Sequence, residues 1–111
     1  MIFTQLIQTN LRTKELGKCI EYYNRLDSTN IEAWELIKEN KNHGTIIITE
    51  NQTKGKGQKT KTWRMIPGKS LVFSLIISKN YPVDYSGLIS LSVSLALSES
   101  LNKRGVETQL K

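Results

Sequence analysis

Between Asn51 and Pro67 the chain carries five cations, Lys54, Lys56, Lys59, Lys61 and Arg64, and no acid. The rest is nearly balanced, so most of the net charge of +6 sits in this one glycine-containing segment. Positive charge concentrated around Gly55 and Gly57 points to an anionic ligand: a nucleotide, a phosphate or a nucleic acid. The plain alternative is a solvated surface loop. Gly55-x-Gly57 is neither a Walker A loop nor a full dinucleotide fingerprint, because Thr60 stands where a third glycine would fall. A second polar cluster, Asp27-Ser28-Thr29-Asn30, supplies helix-start chemistry. Thr29 with Glu32 three residues later fits a capping box, in which each side chain satisfies an otherwise unpaired backbone N–H. Cys19, in an apolar run, reads as a small core residue and not as a nucleophile. His43, between Asn42 and Gly44, reads as a solvated turn residue.

These segments need elements to hold them. At 111 residues, 38% hydrophobic and 23% charged, the chain has material for one globular domain and not two. No stretch approaches the roughly 20 consecutive apolar residues of a membrane span. Met1 is followed by no basic n-region and no long apolar h-region, so no secretory signal is expected. A single cysteine forms no internal disulfide, which suits a reducing cytoplasm.

Lys18 to Leu26, with Ile20, Tyr22, Tyr23 and Leu26, reads as a strand. Ala33, Trp34, Leu36 and Ile37 supply the buried side of a following helix, which runs out near Asn40 to Asn42. Thr45 to Glu50 is β-branched and too short for a helix, and predicts a strand buried on both faces. Asn51 to Thr62 has no apolar residue and reads as loop. Ser70 to Ser78 predicts a third strand, hairpin-linked to the one before the basic loop. Asp84 to Gly105 alternates apolar residues with Ser and Ala, which favours a strand. Its length, Asp84 or Ser86 as N-cap, Lys103 and Arg104 in the last turn and Gly105 as C′ favour a helix with a Leu88, Leu91, Leu95, Ala96 stripe. We expect the helix. Val106 to Lys111 reads as the start of another strand, and residues 1–17 have no clear role.

Two segments together resemble the biotin–protein ligases. One is Asp27-Ser28-Thr29-Asn30 opening a helix. The other runs from Glu50 through Gln52 and Lys54-Gly55-Lys56-Gly57-Gln58-Lys59-Thr60-Lys61-Thr62 to Trp63. It is similar to that family's Gln followed by Gly-Arg-Gly-Arg-x-Gly-Arg-x-Trp. The resemblance covers roughly residues 18–111, with Lys111 resembling the lysine of the family's Lys-Trp-Pro-Asn-Asp. It implies an α+β fold, a partial mixed or antiparallel sheet with flanking helices, like the class II aminoacyl-tRNA synthetase and biotin synthetase group. Residues 1–111 would be the truncated N-terminal part of one catalytic domain, with no winged-helix DNA-binding domain.

The resemblance also implies a reaction. The biotin carboxylate attacks the α-phosphate of ATP, with magnesium, to give biotinyl-AMP. A lysine of a biotin carboxyl carrier domain then attacks that anhydride. Ser28, Thr29, Asn30, Gln52, Lys56, Gly57, Gln58 and Lys111 would bind biotin. Gly55, Lys56, Gly57, Lys59, Lys61 and Trp63 would form the nucleotide loop, and Lys111 would be catalytic, bridging the carboxylate and the α-phosphate. Gly55 and Gly57 would let the backbone approach the ligand and adopt positive φ. Trp63 would cover the adenine or hold the closed loop, or else anchor the loop to the sheet. Gln58 and Thr60 replace an arginine and a glycine of the pattern, and Lys56 and Lys61 keep charge without the bidentate fork.

Three expectations accompany this reading. Residues Thr53 to Thr62, with no apolar side chain to offset the ordering cost of about 1–2 kcal/mol per residue, are mobile until nucleotide binds. An unpaired sheet edge favours self-association. The chain alone has little or no ligase activity. A lipoate–protein ligase is the nearest alternative enzyme. A basic nucleic-acid-binding module is the alternative of another class, disfavoured because Trp63 is the only aromatic in the basic stretch.

Overall fold

A computed structural model describes residues 2–39, 43–57, 59–78 and 81–110. The described residues form two compact units, one up to Ser78 and one from Tyr81 onward. The first contains helix α1 (Thr4–Asn10), strand β1 (Ile20–Tyr23), helix α2 (Thr29–Lys38) and strand β2 (Ile46–Thr49). It continues with strands β3 (Gly55–Lys56), β4 (Thr62–Trp63) and β5 (Val72–Leu75). The second contains a 3-10 turn, Val83–Tyr85, and helix α3 (Ser86–Lys103). None of the helices described is long and apolar enough to cross a membrane.

The main sheet has the order β1-β2-β5 and is mixed, as the α+β expectation requires. β1 runs parallel to β2, with Ile20 opposite Ile46 and Tyr23 opposite Thr49. Parallel neighbours cannot be joined by a tight hairpin, and α2 supplies the crossover between them. β5 pairs antiparallel to β2, with Ile46 opposite Leu75 and Thr49 opposite Val72, so the expected pairing of these two strands is found. As the middle strand, β2 is buried on both faces: Ile47 and Thr49 are fully buried and Ile48 nearly so. Ala33 and Leu36 of α2 pack with Ile47 and Ile76, and Tyr23, Leu26 and Ile37 close the cluster.

The structure corrects several boundaries. The first strand covers only Ile20–Tyr23 of the stretch from Lys18 to Leu26. The cap of α2 is Ser28, whose extended backbone and Oγ, accepting from the Ile31 N–H at 3.4 Å, place Thr29 inside the helix. Glu32 therefore makes no capping box with Thr29 and instead accepts a hydrogen bond from the Tyr23 hydroxyl at 3.0 Å. Trp34 is 65% exposed, because Ala33, Leu36 and Ile37 take the core-facing side and leave position 34 at its flank. The expected end of this helix near Asn40 to Asn42 lies outside the described residues.

His43 is not a free turn residue. Its Nδ1 accepts from the Ser78 N–H at 3.2 Å, and its Nε2 lies 3.5 Å from Glu15 Oε2. Beside it, Gly44 has φ +90, and a Cβ there would stand 2.0 Å from the Glu15 carbonyl oxygen. Only glycine lets the chain before β1 pass this closely.

In the second unit α3 is a helix, as its length and end signals predict. Its cap differs: Tyr85 precedes the helix with no side-chain cap bond, Asp84 lies in the 3-10 turn and Ser86 is already helical. Gly105, at φ +83, ends it, with the Val106 N–H returning to the Leu101 carbonyl and the Gly105 N–H to that of Asn102. Those two bonds are a Schellman motif. Val106 to Leu110 is not a strand. A ladder needs a partner, and here the Thr108 N–H bonds to the Asn102 side chain at 3.0 Å.

Candidate functional site

The two polar segments singled out in the sequence are joined by backbone. Leu26 and Gln52 form a parallel bridge beyond the ends of β1 and β2. The Leu26 N–H donates to the Asn51 carbonyl at 2.9 Å, the Thr53 N–H to that of Leu26 at 2.9 Å and the Lys54 N–H to that of Asp27 at 2.7 Å. Side chains reinforce the join, with Thr53 Oγ1 donating to Asp27 Oδ1 at 3.1 Å and Lys54 Nζ 3.9 Å from Asp27 Oδ2.

This seam aims the Gln52 amide at the start of α2. Gln52 Oε1 accepts from the Thr29 backbone N–H at 2.9 Å and from the Thr29 hydroxyl at 3.3 Å. It thereby satisfies one of the N–H groups that a helix start leaves without an internal partner. From β5, the Ser74 hydroxyl lies 2.8 Å from Thr29 Oγ1 and 2.5 Å from Asn30 Oδ1. With one proton it donates to one of them at a time. Gln52, Thr29, Asn30 and Ser74 thus form one connected polar group, contributed by a loop, a helix start and a strand.

These residues line a cavity of about 450 Å³. Ser28, Thr29, Asn30, Gln52 and Ser74 make its polar side, Ile31, Trp34, Trp63, Val72 and Phe73 its apolar side, and Lys56 brings a cation. Size and composition suit a small organic molecule with a hydrogen-bonding head and an apolar body. A second cavity of about 490 Å³ shares Gln52, Lys56 and Trp63 and adds Lys54, Gly55 and Arg64. Three cations without a carboxylate in its wall suit a phosphate or carboxylate group. Met65 also lines it, and its sulfur accepts the Gln52 N–H at 2.9 Å.

The basic segment is not wholly loop. β3 and β4 pair antiparallel, Gly55 opposite Trp63 and Lys56 opposite Thr62, and the Gly57 N–H donates to the Lys61 carbonyl at 2.8 Å. Neither Gly55 nor Gly57 has a positive φ, and among the described residues of the hairpin the left-handed one is Lys59, at φ 59. Gly55 is required by space instead: a Cβ there would lie 2.5 Å from Gln52 Nε2 and 2.6 Å from the Trp63 carbonyl oxygen.

Of the expected site residues, Ser28, Thr29, Asn30, Gln52, Lys56 and Trp63 converge on the first cavity, and Gly55 joins Lys56 and Trp63 at the second. Gly57, Lys59 and Lys61 lie in the hairpin region but in the wall of neither. Gln58 and Lys111 lie outside the described residues. Among those described, no three His, Cys, Asp or Glu side chains gather to hold a metal. Sequence reasoning missed Ser74, Ile31, Trp34, Val72, Phe73 and Met65 as wall residues. Ser74 had a readable signal, since it is the one polar residue in the run Leu71-Val72-Phe73-Ser74-Leu75-Ile76-Ile77.

The sequence is similar to known proteins over nearly its whole length. The chain is 27% identical over 106 residues to the bifunctional ligase/repressor BirA of Bacillus subtilis strain 168, covering 95% of this chain and 33% of the relative. It is 26% identical, over the same length and shares, to the bifunctional ligase/repressor BirA of Bacillus spizizenii. The chain thus spans about a third of the length of the curated relatives it matches. Residues 22–111, which include every wall residue of both cavities, match the model of the biotin/lipoate A/B protein ligase family. The chain belongs to the biotin/lipoate A/B protein ligase family.

Proposed function

We propose that this protein is an ATP-dependent biotin–protein ligase, which forms biotinyl-AMP and transfers biotin to a lysine of a biotin carboxyl carrier domain. The observation that carries this reading is the polar group of Gln52, Thr29, Asn30 and Ser74 at one side of an otherwise apolar cavity, with Lys56 shared by its cationic neighbour. A ureido ring presents two N–H donors and one carbonyl acceptor, and this group holds hydroxyls and amides able to answer both. The valeryl chain would lie along Ile31, Val72 and Phe73.

Lys56 stands where the two cavities meet, which suits a carboxylate about to join an α-phosphate. The reaction brings two anions together, and Lys54, Lys56 and Arg64 would offset their repulsion. The lysine-specific step, the bridging of carboxylate and phosphate, is assigned by resemblance to Lys111. The two units would belong to one catalytic domain, working in the cytoplasm, where ATP and carrier proteins are available.

The same polar group favours biotin over lipoate, whose dithiolane ring has no N–H to donate. The test is pyrophosphate exchange into ATP by the complete gene product, with magnesium and either acid. Exchange with biotin and none with lipoate is expected. Exchange with lipoate alone, or with neither in folded protein, would overturn the reading.

A further inference from the structure

We propose that Trp34 sets the size of the acid this protein accepts, as a partition between the ligand cavity and a second groove. The inference rests on the ligase reading above and adds a residue that the binding motifs do not contain. The groove, of about 410 Å³, runs between α2 and β5 and adjoins the ligand cavity. The two share four wall residues: Asn30, Trp34, Phe73 and Ser74. Two of the four close the partition by hydrogen bonding, since Ser74 Oγ lies 2.5 Å from Asn30 Oδ1. The other two, Trp34 and Phe73, are aromatic and stand in the walls of both spaces.

Helix geometry explains the position. Asn30 and Trp34 are one turn apart on α2 and stand one above the other, whereas Ala33 turns into the core. The groove beyond Trp34 is lined by the side chains of Ala33, Ile37 and Ile76, which offer a hydrocarbon chain apolar contacts alongside the polar Asn30 and Ser74. Trp34 leaves 65% of its surface uncovered, and Phe73 41%. Large apolar surface uncovered on the wall of a ligand cavity is surface that a ligand's hydrocarbon body can bury. Cutting the indole back to a methyl group removes the apolar half of the partition and joins the two spaces.

The experiment measures binding of biotin and of dodecanoic acid to the complete gene product by calorimetry, in wild type, Trp34→Ala and Trp34→Phe. In Trp34→Ala the preference for biotin over dodecanoic acid should fall by about tenfold or more, through weaker biotin binding and a gain for the longer chain. Trp34→Phe should keep the wild-type preference within about threefold. Fluorine NMR of fluorotryptophan-labelled protein, with Trp34→Phe assigning the resonance, should show the Trp34 signal moving when biotin saturates. Wild type that binds biotin, with an unchanged preference in Trp34→Ala, leaves the ligase reading intact and overturns this one. A still Trp34 resonance in biotin-bound protein also overturns it, and decides the matter if Trp34→Ala does not fold. Folded wild type that binds no biotin overturns both readings.

Discussion

Replacing Gly55 and Gly57 in turn with alanine separates steric need from backbone freedom. Neither glycine has a positive φ, so the two substitutions differ only in the space a Cβ would find. At position 55 that carbon would lie 2.5 Å from Gln52 Nε2, 2.6 Å from the Trp63 carbonyl oxygen and 3.1 Å from Trp63 Cβ. At position 57 its nearest neighbour would be Lys61 Cβ at 3.4 Å, an ordinary contact. Forcing an atom into occupied space costs about 1–3 kcal/mol. Displacing the Gln52 amide from Thr29 costs a further 0.5–1.5 kcal/mol or so. Alanine recovers about 0.4–1 kcal/mol by restricting the unfolded chain. Gly55→Ala should therefore lose about 0.5–4 kcal/mol of stability, and Gly57→Ala should be neutral or gain less than about 1 kcal/mol. Urea midpoints of the two variants and biotin titrations on the same preparations measure both effects. The biotin dissociation constant should rise about tenfold in Gly55→Ala, because Gln52 moves, and stay put in Gly57→Ala. Equal midpoints and equal affinities for the two variants would refute the steric argument.

Two further outcomes follow from the core. Burial, and then the Glu32 carboxylate that accepts its hydrogen bond, push the Tyr23 hydroxyl from its ordinary value near 10 to about 12. The folded state thus holds this proton more tightly than the unfolded chain, so the stability it confers is complete below about pH 10 and lost as pH rises towards 12. Denaturation midpoints of wild type and Tyr23→Phe should draw closer across that window, and a constant gap would contradict the assignment. Ile47→Ala, at a fully buried position in the middle strand, should cost about 2–5 kcal/mol, whereas Leu71→Ala, at an exposed one, should change the midpoint by less than about 0.5 kcal/mol.

Sequence patterns revealed those features that depend on local side-chain chemistry. The β-branched run Thr45 to Thr49 marked the middle strand, and Gly105 marked the end of α3. The cap of α2 was readable only to within one residue, because Ser28 and Thr29 are both competent and the choice is made by Gln52, 23 residues beyond Thr29. Trp34 misled through its hydrophobicity, since helical spacing gave the core face to its neighbours Ala33, Leu36 and Ile37. The β3–β4 hairpin was invisible because backbone bonds and a left-handed Lys59 hold it, with Trp63 at its end as its one apolar side chain. Val106 to Leu110 had strand-like composition, but composition does not supply a pairing partner. The meeting of Asp27–Asn30 with Gln52 came from family resemblance alone, since no periodicity brings those segments together.

That meeting is made by main-chain atoms. The bonds from Leu26 to Asn51, Thr53 to Leu26 and Lys54 to Asp27 are indifferent to what the side chains are. Substitution at residues 28–30 or 52, one at a time, therefore leaves the donors and acceptors of these three bonds in place. On the proposed ligase reading, such a seam would let the recognised acid be altered while the mould is kept. Length is where the tolerance ends: one residue lost between Tyr23 and Leu26 would slide the Leu26–Gln52 bridge out of register and shift the start of α2 against Gln52.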